Sequence, residues 1–184
     1  MDKNAEIEQY FAFWEKPFPI AAEHDHWVRW GSLLRVWLPS IDGVPINIEA
    51  IGEFPRGLKK DAPLDLELRF LFLKGNFYKD EAEYYREKNS RMAAESYIPC
   101  GTFSPTNDPD FVESPTVLMS GTVLSVEPTE LDGDKIFKIE LRFESHVFRV
   151  LALDGFAELG IHAGNILSGF FLVLGKVKRR HEQC

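Results

Sequence analysis

Two histidines, His24 and His26, flank Asp25 at the head of a tryptophan-rich stretch that continues through Trp27, Arg29, Trp30 and Trp37. On a β-strand, residues two apart face the same side, so the two imidazoles would converge and could share a metal ion. A metal site also needs a third and usually a fourth ligand, and none can be placed, so the pair reads as polar surface and no metal is assigned. Cys100-Gly101-Thr102 is the nearest thing in the chain to a nucleophile in a tight turn. Thiolate chemistry needs a neighbouring base or the positive end of a helix, and no histidine lies close in sequence, so Cys100 reads as a small buried hydrophobe. No phosphate loop, dinucleotide fingerprint, HExxH, nucleophile elbow or deaminase signature occurs. What remains is binding chemistry. The candidate ligand-binding residues are His24, His26, Trp27, Arg29, Trp30, Trp37, Tyr85, Cys100 and Phe103, expected where the stretches from Trp27 to Trp37 and from Tyr97 to Phe103 meet the strands of positions 115–178. Catalytic residues stay unassigned and no cofactor is implied.

Composition bounds the function. The 184 residues carry 29 acidic and 21 basic side chains, a formal charge of -8, which works against broad contact with a phosphate backbone. With 45% hydrophobic residues, 15 Phe and 4 Trp, the chain holds enough apolar material for a packed core. The one basic cluster, Lys176, Lys178, Arg179, Arg180 and His181, reads as a solvated tail. Cys100 and Cys184 belong to no CxxC pair and cannot form a disulfide framework, which suits a reducing, cytoplasmic setting. No membrane span is expected, because the longest apolar patch, positions 166–177, is broken by Ser168, Gly169, Gly175 and Lys176.

Ile7, Tyr10, Phe11 and Trp14 recur at helical spacing behind a cap at Asp2 or Asn4, and Pro17 and Pro19 end that helix. Strands follow over 33–38 and 44–51, joined by a turn at Asp42-Gly43. After a polar connector, alternation over 64–73 predicts a further strand, broken by Lys74-Gly75-Asn76. A second helix is expected over 80–95, with a thin apolar stripe that includes Tyr85. The stretch 96–113, with three prolines, reads as an ordered loop pinned by Tyr97, Ile98 and Phe103.

Positions 115–178 organise the rest. Apolar alternation places strands at 116–127, 136–143, 147–153 and 166–177, with a turn at Asp132-Gly133 and a short helix from Asp154 to Gly160. Gly121 and Gly169 lie inside the first and last of these, where curvature or close approach of another backbone would use them. Strand, strand, strand, short helix, strand resembles an oligonucleotide/oligosaccharide-binding (OB) barrel or a similar small antiparallel barrel. The resemblance implies a mainly β (α+β) fold: an OB-like barrel over 112–184, with N-terminal strands and two or three short helices over 1–111 packed on it as one globule. The fifth strand of that barrel has to come from elsewhere in the chain. An OB barrel's binding face would here carry Lys138, Glu140 and Arg142, a mixture of signs without exposed aromatics, so nucleic acid is an unfavoured partner. The expected function is a non-catalytic binding or protein-interaction module for a protein or small molecule, with homodimerisation open. A small hydrolase or lyase using the Trp/His segment, and single-stranded nucleic acid binding, are the alternatives.

Overall fold

The computed structural model describes residues 19–29, 32–41, 45–52, 57–88, 92–104, 106, 108–131, 133–153 and 160–178. Among these residues nine strands and one helix form: β1 (Pro19–Arg29), β2 (Leu33–Trp37), β3 (Pro45–Ile51), β4 (Pro63–Tyr78), α1 (Glu81–Lys88), β5 (Ser96–Ile98), β6 (Thr116–Leu131), β7 (Asp134–Phe143), β8 (His146–Leu153) and β9 (Ile166–Lys178). The hydrogen-bonded order is β1-β2-β3-β9-β4-β8-β7-β6-β5, with further pairings β1–β4 and β9–β6 that make it ring-like.

This order corrects the OB-barrel expectation. The sheet is mixed, because β3 runs parallel to β9 and β4 parallel to β8. The strands of 116–178 do not form a self-contained unit, since β8 is flanked by β4 and β9 by β3 and β4. A hairpin announces itself by its turn, whereas a parallel pairing between distant segments leaves no local mark, and alternation carries no information about partners. Only one α-helix is present among the described residues, eight residues long instead of the sixteen expected over 80–95. The expected N-terminal helix, the Asp42-Gly43 turn, the start of the Asp154–Gly160 helix and the tail from Arg179 lie outside the described residues.

The chain resolves into two compact units. The first gathers the described residues up to Arg69, Pro99–Thr116, and those from Val173 onward. Its β2 and β3 are covered on both faces: Leu33, Leu34, Arg35 and Val36 are buried, as are Ile46, Asn47, Ile48 and Ala50. Leu34, Val36, Ile46 and Ile48 fill one face, and Gly175 meets it so closely that a Cβ would come within 2.4 Å of Ile48 Cδ1. On β4, Leu64, Leu66 and Leu68 alternate with Glu67 and Arg69, which are themselves buried and ion-paired.

The second unit comprises Phe70–Ile98 and Val117–Leu172. Strands β6, β7 and β8 form antiparallel hairpins, and β4 adds to β8 through Phe70↔Val150 and Leu71↔Leu151. Phe70 packs on Phe148 at 4.7 Å between centroids, and Phe72 meets Phe171 edge-on at 5.2 Å. Helix α1 starts at Asp80, whose Oδ1 accepts the Glu83 amide at 2.8 Å as an N-cap. It inserts Tyr84, fully buried, perpendicular to Tyr78 and beside Ala94 and Ile166.

Two breaks expected from sequence are strand interior. β4 runs on through Lys74-Gly75-Asn76, and β6 continues past Pro128, which is paired with Phe137 and exposed. A proline missing its amide hydrogen is tolerated where that position donates nothing to the ladder.

Candidate functional site

Strand β1 places the two histidines in a way that period-two spacing does not foresee. His24 pairs with Val36 and His26 with Arg35, so Asp25 is an extra residue, a β-bulge. Two successive residues of β2 face opposite sides, and the histidines opposite them therefore part company. His24 is buried, its Nδ1 2.9 Å from the Lys59 carbonyl oxygen, while His26 is solvent-facing with Nδ1 3.1 Å from Asp25. A second bulge at Val28 sets Trp27 opposite Leu34 and Arg29 opposite Leu33. Trp27 and Trp37 are half-buried and Arg29 is exposed. Trp30 lies outside the described residues.

In the first unit the segments 33–37 and 99–116 are tied together by a buried polar cluster. Arg35, buried on β2, donates from Nε to Asn47 Oδ1 at 3.0 Å and from Nη2 to the Thr102 carbonyl at 2.9 Å. It also pairs with Glu113, whose Oε2 accepts from Asn47 Nδ2 at 3.0 Å; the same amide donates to the Gly101 carbonyl at 3.1 Å. Phe103 covers the guanidinium at 5.1 Å. Gly101 is required here, because a Cβ would fall 2.1 Å from the Ser114 carbonyl oxygen. Every one of these contacts is internal. The cluster binds the 99–116 loop to β2 and β3, and Phe103, half exposed, caps it. Cys100 is a half-buried free cysteine at the loop's entry. Tyr85 belongs to the second unit, where its hydroxyl accepts the Ala94 amide at 3.2 Å.

The second unit carries an open groove of about 450 Å³, lined by Lys74, Gly75 and Asn76 of β4, Leu118 of β6, and Ser168, Gly169 and Phe170 of β9. Its floor is bare backbone for a packing reason. A Cβ on Gly75 would stand 2.2 Å from the Ser168 carbonyl oxygen, and one on Gly169 would stand 2.3 Å from the Lys74 carbonyl oxygen. Leu118 and Phe170 are half-buried walls. Opposite Leu118 on β5 stands Ile98, 43% exposed, so the apolar surface continues past the rim. Lys74 Nζ lies 5.1 Å from the centroid of the Phe170 ring, a cation–π contact. Among the described residues, Lys74 forms no ion pair and the Asn76 amide no hydrogen bond, and both side chains are exposed.

A second concavity of about 420 Å³ lies at the β6–β7 hairpin, lined by Pro128, Thr129, Glu130, Gly133 and Lys135. There Glu130 and Lys135 are cross-strand neighbours, so its charges offset one another.

Sequence reasoning foresaw close backbone approach at Gly169 but missed Lys74, Asn76, Leu118, Ser168 and Phe170. The available signal was Gly75 and Gly169 together, one in a short polar break with Phe77 and Tyr78 resuming after it and the other inside an apolar alternation, which would have suggested two strands touching. Among the described residues, no group of three or more His, Cys, Asp or Glu converges to hold a metal, and no helix is long and apolar enough to cross a membrane. No protein-family model, curated protein or solved structure matches the chain.

Proposed function

We propose that the protein is a non-catalytic small-molecule binding module, and that the groove between Lys74 and Phe170 is its binding site. One observation carries this: a concavity with a glycine-backbone floor and apolar walls, at whose edge an ammonium and an amide have no polar partner among the described residues. Small-molecule sites are concave, mostly apolar and oriented by a few polar groups, with volumes of about 300–1,000 Å³. The groove's polar chemistry favours holding over reacting. An amide neither gives nor takes a proton near neutral pH, and among the described residues no carboxylate or imidazole lines the groove to work with the ammonium. A nucleic acid strand draws little support, since a single cation serves one phosphate and the chain's charge of -8 repels the rest. A reducing compartment fits the same reading, Cys100 being outside any disulfide.

The test is a fragment screen by ligand-observed NMR on the full chain, repeated on Asn76→Trp. Asn76 is exposed, so the indole can fill the groove without entering the core. Fragments that bind the wild type and lose their signal in the variant are expected. Hits that survive the substitution, or no hits at all on folded protein, would overturn the assignment.

A further inference from the structure

Resting on that reading of the groove, we infer that its ligand is an apolar monocarboxylate: a small aromatic or aliphatic body ending in one carboxylate. Charge gives the first argument. Among the described residues, Lys74 is the only ionisable side chain lining the groove. The protein carries 29 acidic residues against 21 basic ones, yet among the described residues none of those acids pairs with Lys74. Six other basic side chains, Arg35, Lys60, Arg69, Arg86, Lys138 and Arg142, each have a carboxylate within ion-pair reach. An ammonium has three donors, and resting on the Phe170 face engages the charge without using up those donors.

The number of charges gives the second argument. A di- or triphosphate needs several cations or a run of backbone amides, and the groove offers one ammonium inside an acidic chain. A carboxylate is matched by one ammonium, with the Asn76 amide on the same strand able to donate to its second oxygen. The surface gives the third. Leu118, Phe170 and the bare backbone of Gly75 and Gly169 make most of the described lining apolar, and beyond Lys74 and Asn76 its one other hydrogen-bonding side chain, Ser168, is buried, which suits a hydrocarbon body and would leave most of a sugar's hydroxyls unpaired.

Two acids, 2-naphthoate and octanoate, and their neutral partners, 2-naphthalenemethanol and 1-octanol, are titrated into the full chain and followed by protein chemical-shift changes. The proteins are wild type, Lys74→Met, Asn76→Trp and Lys135→Met. Lys135 is the matched control: its Nζ also sits over an aromatic ring, Phe137 at 5.4 Å, and its loss changes net charge equally, but it lies outside the groove. At least one acid is expected to bind at Lys74, Asn76 and Phe170, about tenfold more tightly than its alcohol, as befits one charge-assisted contact. Lys74→Met should remove that tenfold advantage, Lys135→Met should keep it, and raising the salt should weaken the acid more than the alcohol. Whichever acid binds decides between a planar and a chain-like body. If acids and alcohols bind equally and Lys74→Met changes nothing while Asn76→Trp abolishes both, the groove stands and the carboxylate falls. If no probe binds, or binding survives Asn76→Trp, both readings fall.

Discussion

Removing the Glu113 carboxylate should loosen the first unit far more than a change at a partly exposed loop residue ordinarily does. In Glu113→Ala the guanidinium of Arg35, its side chain 11% exposed, keeps Asn47 Oδ1, the Thr102 carbonyl and the Phe103 face but loses its counter-charge. Breaking a fully buried pair from one side costs about 3–5 kcal/mol. A third of the Glu113 side chain is in contact with water, so screening reduces the figure to about 2–3 kcal/mol. Arg35→Met is the gentler perturbation. Its thioether chain fills most of the space, the stranded carboxylate is the solvated partner, and Asn47 still holds Glu113 and the Gly101 carbonyl, so the expected loss is about 1–2 kcal/mol. The double variant should then cost little more than Arg35→Met alone, leaving a coupling energy of at least about 1 kcal/mol, well outside the roughly 0.3–0.5 kcal/mol scatter of independent sites. Urea unfolding read by tryptophan fluorescence supplies the cycle. Hydrogen exchange adds the location, because the amides of Gly101 and Ser114 are bonded to Thr116 and Gly101 carbonyls and report opening of the loop directly. Additive losses, or unchanged protection at those two amides in Glu113→Ala, would refute the idea that this cluster holds the loop down.

Gly169→Ala should destabilise the second unit by about 1–3 kcal/mol, since its Cβ meets backbone that has to move. Gly133→Ala, with φ near 90° but open space around it, should lose about 1–2 kcal/mol of left-handed strain without loosening β4 or β9, so unchanged hydrogen-exchange protection of β4 and β9 in Gly169→Ala would refute the steric argument. Asp80→Ala removes the N-cap of α1 and should cost about 1 kcal/mol. Protection of the helix amides should fall while that of β7 and β8 stays put; uniform loss across the unit would show that the helix is not a separate opening element.

Period-two alternation made most of the strands legible, because each buries one stripe against a core. Ile136 to Phe143 pair as read, and so do Pro45 to Glu49. Alternation fails where the ladder itself is irregular. Asp25 and Leu124 are each extra residues between paired neighbours, and each moves the side chains on one side of it to the other face. Nothing in a single sequence distinguishes a bulged aspartate from a paired one, so the two histidines looked convergent while the fold sends one inward and the other to solvent. The partners of the strands were equally hidden, since the parallel contacts β3–β9 and β4–β8 join segments separated by more than seventy residues.

The groove was hidden by a rule that is sound on average. Lys74-Gly75-Asn76 has the composition of a turn, and a turn was the sensible expectation. What overrides it is Gly169. Gly75 and Gly169 stand where β4 and β9 approach too closely for any Cβ, so the pair lets both strands continue where either alone would have ended. The same two absences that allow the strands to touch leave the groove without a side-chain floor, and Lys74, carried on a strand instead of a loop, is set against Phe170. Packing therefore accounts for the glycines in full, and what sets this groove apart from an ordinary gap between strands is the pair of residues that packing does not explain. Those are Lys74 and Asn76, polar side chains on a strand rim that contribute no ion pair or hydrogen bond to the described fold; if substituting them changes stability as much as it changes binding, their role is structural and the groove is only the gap between two strands.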